Sequence, residues 1–403
     1  MLPAALLPAI ALEWLHLLVR WVHVLAAILW VGDSFLFMWM DSSLEPTRTP
    51  RRGAVVGELW MVHSGGFYEV VKRKSLAPDE LPPNLHWFMW QSYATWITGL
   101  LLLVIVYWLG GGALLVENGA ALSHGRAVAL SAGMLVAGWL VYDAAWMSPL
   151  GRRPRLTTTL LLGALAVTVF GISQVFGARA AYMQTGAMLG TIMAANVWRR
   201  IIPAQSQMLA ATKAGAVVDT SLGLRAKTRS IHNHYLTLPV LFVMLSPHFP
   251  STYGHPLAWL VLLLVMWFGM SLKYVMNFRG TSDWRIVVSG AACLLAAIAL
   301  TAWPAHGPAA ARTLRQVIPF EQANAIIDRR CVTCHSTHPS NPSFPQPPNG
   351  VMLDTPERLQ SYAQRILVRA VQTETMPLGN LTGMTDAERD TLGAWLAQGA
   401  RVR

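Results

Sequence analysis

A run of five residues in the last quarter of the chain, Cys331 to His335, carries its most specific chemistry. Cys331, Cys334 and His335 have the spacing C-x-x-C-H, the pattern for covalent attachment of a c-type haem. The two thiols would form thioethers with the haem edge, and the histidine would reach the iron as proximal ligand. A zinc site would need a second Cys pair or more His than the nearby His338, and a thioredoxin-like site would need a βαβ context. The pattern therefore favours a haem.

The sixth iron ligand should come from a downstream methionine or histidine, and methionine raises the potential. The candidates are Met352, Met376 and Met384. Met376 lies between two helix patterns, at 356–373 and 385–400, whereas Met384 stands just before a capped helix start and is expected to pack. The order of haem helix, Pro-rich loop, helix, Met loop and terminal helix resembles the small class I cytochrome c fold. We predict that His335 and Met376 ligate the iron.

The rest of the chain is too apolar to fold in water. Of the 403 residues, 54% are hydrophobic and 13% are charged, against about 25% charged in soluble domains. This balance excludes a soluble globule and a disordered chain. Of the 17 Trp, all but Trp395 precede residue 304. We therefore predict a membrane domain at 1–303, a linker at 304–318 and a cytochrome c domain at 319–403.

The apolar stretches predict an all-α fold, a polytopic membrane helix bundle followed by the small cytochrome c domain. A helix needs about 20 apolar residues to cross a bilayer. About eight stretches qualify, at 14–40, 88–109, 127–147, 157–177, 183–198, 231–249, 257–276 and 285–303. The fifth and sixth are the weakest, and the fifth is rich in Gly and Ala, which indicates that it packs between other helices.

The basic residues give the chain an orientation. With eight spans, one set of alternating loops holds 17 Lys and Arg and the other set holds two. Because basic loops stay in the cytoplasm, both termini are predicted to lie outside it. We expect a multi-pass protein of a bacterial inner membrane with its haem domain in the periplasm. The net charge of +11 then reflects topology, and no nucleic-acid partner is expected.

Polar side chains in or beside membrane spans are costly, so they are functional candidates. By the predicted topology they gather toward the cytoplasmic end, where they could bind a small polar substrate; they are Asp33, His63, His86, Asn196, Gln205, His232 and His234. A single interfacial histidine is more often solvated than a ligand, but several polar groups on different spans favour a site. His23, inside the first span, could ligate an additional b-type haem together with His232 or His234.

Several runs resemble the membrane-bound urate oxidases that are fused to cytochrome c. They are RWVHVLAAILWVGDSF, LHWFMWQSYATWITG, AANVWRRIIPAQ, SIHNHYLTLPVLFVMLSPHFP and the tail TMPLGNLTGMTDAERDTLGAWLAQGA. The resemblance covers nearly the whole chain. It implies oxidation of urate to 5-hydroxyisourate in purine catabolism, without hydrogen peroxide as a product. Electrons would pass through the c-type haem to a respiratory-chain acceptor, such as a terminal oxidase or a soluble cytochrome c.

The resemblance assigns roles only to Cys331, Cys334, His335 and Met376; roles in the membrane domain come from chemistry. Urate is a planar monoanion at neutral pH, so Arg199 or Arg229 could offset its charge. Asn196 or Gln205 could bond its amide-like edge. A proton released during oxidation needs an acceptor, and the candidates are His86, His232, His234 and Asp33.

Two other functions fit the same sequence features. The chain could be an electron-transfer subunit linked to quinol or to another substrate, without urate chemistry. It could also be a transporter or anchor that carries a cytochrome. Reduction of the haem by urate, by quinol or by neither separates the three.

Overall fold

The computed structural model describes residues 6–48, 54–109, 114–117, 120–278, 280–302, 317–342, 344 and 346–402. The predicted linker at 304–318 lies outside these residues, except for its last two positions. Most of the described residues are helical. The α-helices up to residue 302 are α1 (Leu6–Ser42), α2 (Trp90–Leu103), α3 (His124–Met147), α4 (Pro154–Val175), α5 (Ala178–Asn196), α6 (Ile202–Lys213), α7 (Thr220–Leu245), α8 (Pro250–Tyr253), α9 (Ala258–Asn277) and α10 (Trp284–Ala302).

Six of the described helices are long and apolar enough to cross a membrane, which differs from the predicted eight. They are α1, α2 with its π-helical extension, α3, α4, α9 and α10. The predicted fifth and sixth spans do form helices, α5 and α7. Helix α5 continues through the π-helical turn Val197–Ile201 into the polar helix α6. Helix α7 carries Arg225, Lys227 and Arg229 in its first turns, so its average apolarity is lower.

The outer faces of the apolar helices are suited to lipid. Trp21 and Ile28 on α1 are 60% and 62% exposed, and Val167 on α4 is 72% exposed. Exposed apolar faces of this extent would drive a soluble protein to aggregate. Polar side chains such as Ser92 and Asn196 are instead fully buried, so the polarity pattern is that of a membrane protein.

A β-hairpin between α1 and α2 corrects the all-α prediction. Strands β1 (Val55–His63) and β2 (Gly66–Arg73) pair antiparallel. The two residues between them, Ser64 and Gly65, have φ angles of 51° and 77°, as a two-residue hairpin turn requires. His63 therefore lies at the hairpin tip, where its Nδ1 is 2.8 Å from the Ser64 hydroxyl, and not at a span end.

The chain forms two compact units. Unit 1 contains residues 1–102, 187–240 and 268–290, and unit 2 contains residues 103–186, 241–267 and 291–403. Four of the boundaries fall inside α5, α7, α9 and α10, and one falls at the end of α2. Unit 1 holds the polar residues predicted at the cytoplasmic end, and unit 2 holds the C-x-x-C-H run.

The C-terminal part of unit 2 has its own hydrophobic core. Its helices are α11 (Phe320–Ile327), α12 (Pro356–Ile366) and α13 (Asp386–Ala397). They close over a cluster that includes Ile327, Leu359, Leu392 and Trp395. Helix α13 begins with the predicted capping box, in which Thr385 and Glu388 bond each other's backbone amides. The helices thus lie close to the positions that the sequence predicts.

Candidate functional site

The C-x-x-C-H residues follow α11 on a single turn of chain. The amides of Cys334 and His335 both donate to the Cys331 carbonyl, at 3.1 and 2.9 Å. Nδ1 of His335 lies 3.1 Å from the Val351 carbonyl oxygen. Because a carbonyl can only accept, Nδ1 carries the proton of this bond and Nε2 keeps its lone pair. Axial histidines are held in this way, so these residues fit a c-type haem.

The surroundings of His335 keep its ring neutral. Burial lowers the pKa of the imidazole, and the bond to the Val351 carbonyl opposes this only in part. The thiols of Cys331 and Cys334 are half-buried and form no disulfide. Two free thiols and a neutral histidine are the forms that haem attachment requires.

Two of the three candidate methionines have other partners. Met384 is 3% exposed and packs in the hydrophobic cluster with Leu392 and Trp395. The sulfur of Met352 lies 3.9 Å from the Thr337 hydroxyl. Both side chains thus serve packing or hydrogen bonding in this structure.

Met376 has a fixed backbone and a half-buried side chain. Its amide donates to the Arg369 carbonyl at 2.9 Å. Its own carbonyl accepts a hydrogen bond of 2.8 Å from the Arg389 guanidinium. Among the described residues, no group bonds its sulfur. The arrangement suits a ligand held ready on a rigid loop.

Helix α8 of unit 2 contacts the segment before Met376. The Arg369 guanidinium donates a hydrogen bond of 2.9 Å to the Tyr253 hydroxyl. A Cβ atom on Gly254 would lie 2.6 Å from Thr373 Cβ and 2.7 Å from the Thr373 carbonyl oxygen. Only glycine fits at this distance. Arg369 thus bonds α8 through its side chain and the methionine loop through its carbonyl.

In unit 1, two asparagines join α5 to α7. Asn196 donates a hydrogen bond of 3.0 Å to the Asn233 side-chain oxygen, and Asn233 donates one of 2.9 Å to the Met193 carbonyl. The two residues are 0% and 7% exposed. Buried amides need such partners. Asn196, which the sequence suggests as a substrate ligand, therefore also connects two helices.

Lys273 on α9 is the most deeply buried charged group of unit 1. Its side chain is 0% exposed. Its ammonium lies 3.4 Å from the centre of the Phe35 ring, and no described residue accepts a hydrogen bond from it. Burying a charge without an ionic partner costs several kcal/mol.

Polar side chains of α7 and α9 surround this lysine. His234 interacts with Lys273, with the Asn277 side chain and with the Asp41 carboxylate. Tyr235 also approaches Asn277. We call Lys273, Phe35, His234, Tyr235 and Asn277 the Lys273 cluster.

The other predicted residues of unit 1 have no described contact with the Lys273 cluster. His232 is half-buried and faces Arg229, which is 6% exposed. Asp33 is half-buried, and its Oδ2 is buried without a described hydrogen-bond partner. The exposed residues are His86, Arg199 and Gln205. The structure thus brings one predicted catalytic histidine, His234, into a buried polar group.

His23 packs against α2. Its Nδ1 lies 3.0 Å from the Thr95 carbonyl oxygen and 3.1 Å from the Thr98 hydroxyl. A Cβ on Gly99 would lie 3.0 Å from the ring, so the glycine makes room for the histidine. These contacts account for the half-buried histidine by helix packing.

Two cavities lie apart from the Lys273 cluster and from the C-x-x-C-H run. One, of about 160 Å³ in unit 2, is lined mainly by α4, α5 and α9 and includes Tyr182, Tyr253, Glu117, His255 and Trp259. The other, a groove of about 730 Å³ in unit 1, runs between β2, the segment after it and α6. Neither is lined by a residue that the sequence predicts for a site.

The sequence reasoning missed Lys273 and Asn277. Both lie at the C-terminal end of the seventh predicted span, in the run SLKYVMN. A charged residue inside an apolar run is itself a signal of function, and it applies to Lys273 as well as to Asp33. The contact between Tyr253 and Arg369 carries no sequence signal, because the residues are 116 positions apart.

Comparison with known proteins identifies the family. A family model described as urate oxidase N-terminal matches residues 9–302. No curated protein and no solved structure matches the chain at a significant level. The matched region contains α1 to α10, and with them the Lys273 cluster, but it ends before the C-x-x-C-H run. Because the match covers well over half of the chain, this protein belongs to the urate oxidase N-terminal family.

Proposed function

We propose that this protein is a membrane-bound urate oxidase that converts urate to 5-hydroxyisourate and passes the electrons to a c-type haem on the same chain. The family match over residues 9–302 carries the proposal. It is supported by the C-x-x-C-H run, whose histidine has the geometry of an iron ligand. The reaction adds the elements of water to urate and releases two electrons and two protons. An electron acceptor other than oxygen avoids hydrogen peroxide.

The haem would be held by Cys331 and Cys334 through thioether bonds, and His335 and Met376 would ligate its iron. When bound, it supplies one-electron transfer. The protein's part is to orient these groups: the Val351 carbonyl fixes the His335 ring, and Arg369 and Arg389 fix the backbone of Met376. The segment 319–403 would thus be a class I cytochrome c domain.

All eight predicted spans are proposed to cross the membrane, including the more polar α5 and α7. Their polar groups are bonded to each other, as in the pair Asn196 and Asn233, and helices with internally satisfied groups can lie inside a membrane bundle. With eight spans, the basic loops place both termini in the periplasm of an inner membrane. The haem domain would then meet its acceptor there, a terminal oxidase or a soluble cytochrome c.

His234 is the best placed of the proposed proton acceptors, because it lies beside the buried Lys273. His232, His86 and Asp33 are further candidates for this role. Asn196, Arg199 and Gln205 are proposed to contact the substrate; the exposure of the last two suits residues at an entrance.

A b-type haem on His23 finds less support in the contacts. Nδ1 of His23 is occupied by α2, and Nε2 is the atom that an iron would need. No described contact brings a second histidine to this ring, since His234 contacts α9 and His232 faces Arg229. The described contacts therefore give no support to a bis-histidine site, and the proposed route does not use one.

The test is reduction of the haem by urate. Membranes that contain the protein are kept anaerobic, and the absorbance of the c-type haem is followed after urate is added. We expect urate to reduce the haem, and a Cys331→Ser, Cys334→Ser variant to show no such signal. A haem that stays oxidised with urate but is reduced by quinol would show that the protein is an electron-transfer subunit instead. No reduction by either would favour a transporter or an anchor.

A further inference from the structure

Lys273 lies where a lysine is costly unless an anion joins it. It belongs to α9, one of the six apolar helices, and its side chain is 0% exposed. Lysines near the ends of membrane helices normally extend their ammonium group to water, and this one does not. Within the part of the chain that the structure describes, no carboxylate lies within ion-pair distance of it. The Phe35 ring at 3.4 Å offsets only part of the desolvation cost.

A second unused donor lies one turn away. Asn277 follows Lys273 by four positions on α9, so both side chains lie on one face of the helix. Its Nδ2 is buried and has no acceptor in hydrogen-bonding geometry, although His234 and Tyr235 approach the amide. The face thus offers two buried donors, one of them cationic, and carries no anion.

Asp41, the acid that acts on His234, does not neutralise this group. Asp41 interacts with His234, but its carboxylate forms an ion pair with the exposed Lys72. The charge of Asp41 is therefore already balanced. A ligand that supplies both a negative charge and hydrogen-bond acceptors would complete the face of α9.

We propose that Lys273 binds the negative charge of the substrate, a planar anionic heterocycle with carbonyl acceptors. The inference rests on the proposed urate oxidation and adds the residue that selects the anion. The ammonium would pair with the deprotonated ring nitrogen or the carbonyl beside it, and Asn277 would donate to a second carbonyl. The Phe35 ring offers a flat apolar surface next to the ammonium. Lys273 acts as a binding residue, and no covalent step involves it.

The test is urate binding at equilibrium, measured by dialysis with the purified holoprotein in detergent. Lys273→Met keeps a long unbranched side chain but removes the charge. Losing a hydrogen bond to a charged group corresponds to roughly ten- to a hundredfold weaker binding. We expect this loss in Lys273→Met and intermediate binding in Lys273→Arg. Lys213→Met is the matched control, because it removes an exposed lysine at the end of α6, outside the Lys273 cluster; it should bind urate within about twofold of the wild type.

A neutral purine such as hypoxanthine gives the second measurement. Hypoxanthine has a similar planar shape and should compete with urate for the same site, but it carries no charge. Its affinity should therefore be the same in Lys273→Met and in the wild type. Unchanged binding of urate by a Lys273→Met protein with full haem content would overturn the inference. So would a Lys273→Met protein whose affinities for hypoxanthine and for urate fall by the same factor. Chloride that weakens urate binding only in proteins that retain Lys273 would support the anion site. If Lys273→Met does not fold, Asn277→Leu replaces it, with weaker urate binding expected and unchanged binding contradicting the inference.

Urate binding and haem reduction by urate are separate measurements, so each proposal can be refuted without the other. A wild-type protein that binds urate through Lys273 but leaves its haem oxidised would refute the proposed oxidation and keep the anion site. A wild-type haem that urate reduces, with no dependence of binding on Lys273, would refute the anion site and keep the oxidation.

Discussion

Replacing Gly254 by alanine should separate α8 from the haem segment, which is the proposed cytochrome c domain at 319–403. The new Cβ would lie 2.6 Å from Thr373 Cβ, 2.7 Å from the Thr373 carbonyl oxygen and 2.8 Å from the Pro250 carbonyl oxygen. The backbone angles of Gly254 are φ −89° and ψ 5°, which alanine can adopt, so the whole penalty is steric.

The size of the effect follows from what must move. Overpacking costs about 1–3 kcal/mol, and two of the three contacts are with backbone oxygens, which cannot rotate away. We therefore expect about 2–3 kcal/mol, which corresponds to a melting temperature lower by roughly 4–12 °C. The segment would also lose the bond from Arg369 to Tyr253, a residue that is 3% exposed.

The assay is thermal unfolding of the purified holoprotein, followed by haem absorbance. Gly171→Ala is the matched control, because this glycine lies within α4 of the same unit and an added Cβ meets nothing within 4 Å. Alanine there should be neutral or stabilising by up to about 1 kcal/mol. A Gly254→Ala protein that melts like the wild type would refute the contact between α8 and the haem segment.

Two further predictions concern the haem segment. Met376→Ala should keep the covalent haem but change its spectrum and lower its potential, because a methionine ligand raises the potential; an unchanged spectrum would rule out this ligand. Hydrogen bonds from the Thr337 amide and hydroxyl, and then from Arg358, hold the pKa of Asp354 below its usual value. A depressed carboxyl pKa stabilises the fold above the unfolded pKa of about 3.9. The melting temperature should therefore fall as the pH drops below about 4. In Asp354→Asn this decline should be less steep. An equally steep decline in the variant would contradict the role of the Asp354 carboxylate in stability.

Local sequence patterns predict the parts of the fold that depend on local physics. Apolar length finds the six clear spans because each helix must match the bilayer by itself. The capping box of Thr385 and Glu388 is visible because its two bonds join residues three positions apart. The hairpin was missed although VVGELWMVH and GFYEVVKR are rich in β-branched and aromatic residues. Because the basic residues and His63 of this segment indicate a cytoplasmic loop, no strand is predicted there.

The candidate site is harder to predict because its properties arise from packing. Lys273 is visible in the sequence as a charge in an apolar run, but only the structure shows that it lacks an acidic partner. Asn196 is predicted from its amide side chain and its place toward the cytoplasmic end, whereas its bond to Asn233 depends on how α5 meets α7. Arg199 itself is exposed. A residue type suggests what chemistry is available, and burial decides which residue can use it.

The contact between α8 and the haem segment shows how the two parts of the chain depend on each other. Tyr253 and Gly254 lie inside the family region that ends at residue 302, whereas Arg369 and Thr373 lie outside it. Two of the three atoms that a Cβ at Gly254 would meet belong to Thr373. The same segment holds the amide of Met376 through the Arg369 carbonyl. A change at α8 would therefore reach the proposed iron ligand through one residue, Arg369. We expect Arg369→Met to alter the haem spectrum and also to weaken the contact between α8 and the haem segment. An unchanged haem spectrum would show that the haem segment is independent of α8 and loses only the bond to Tyr253.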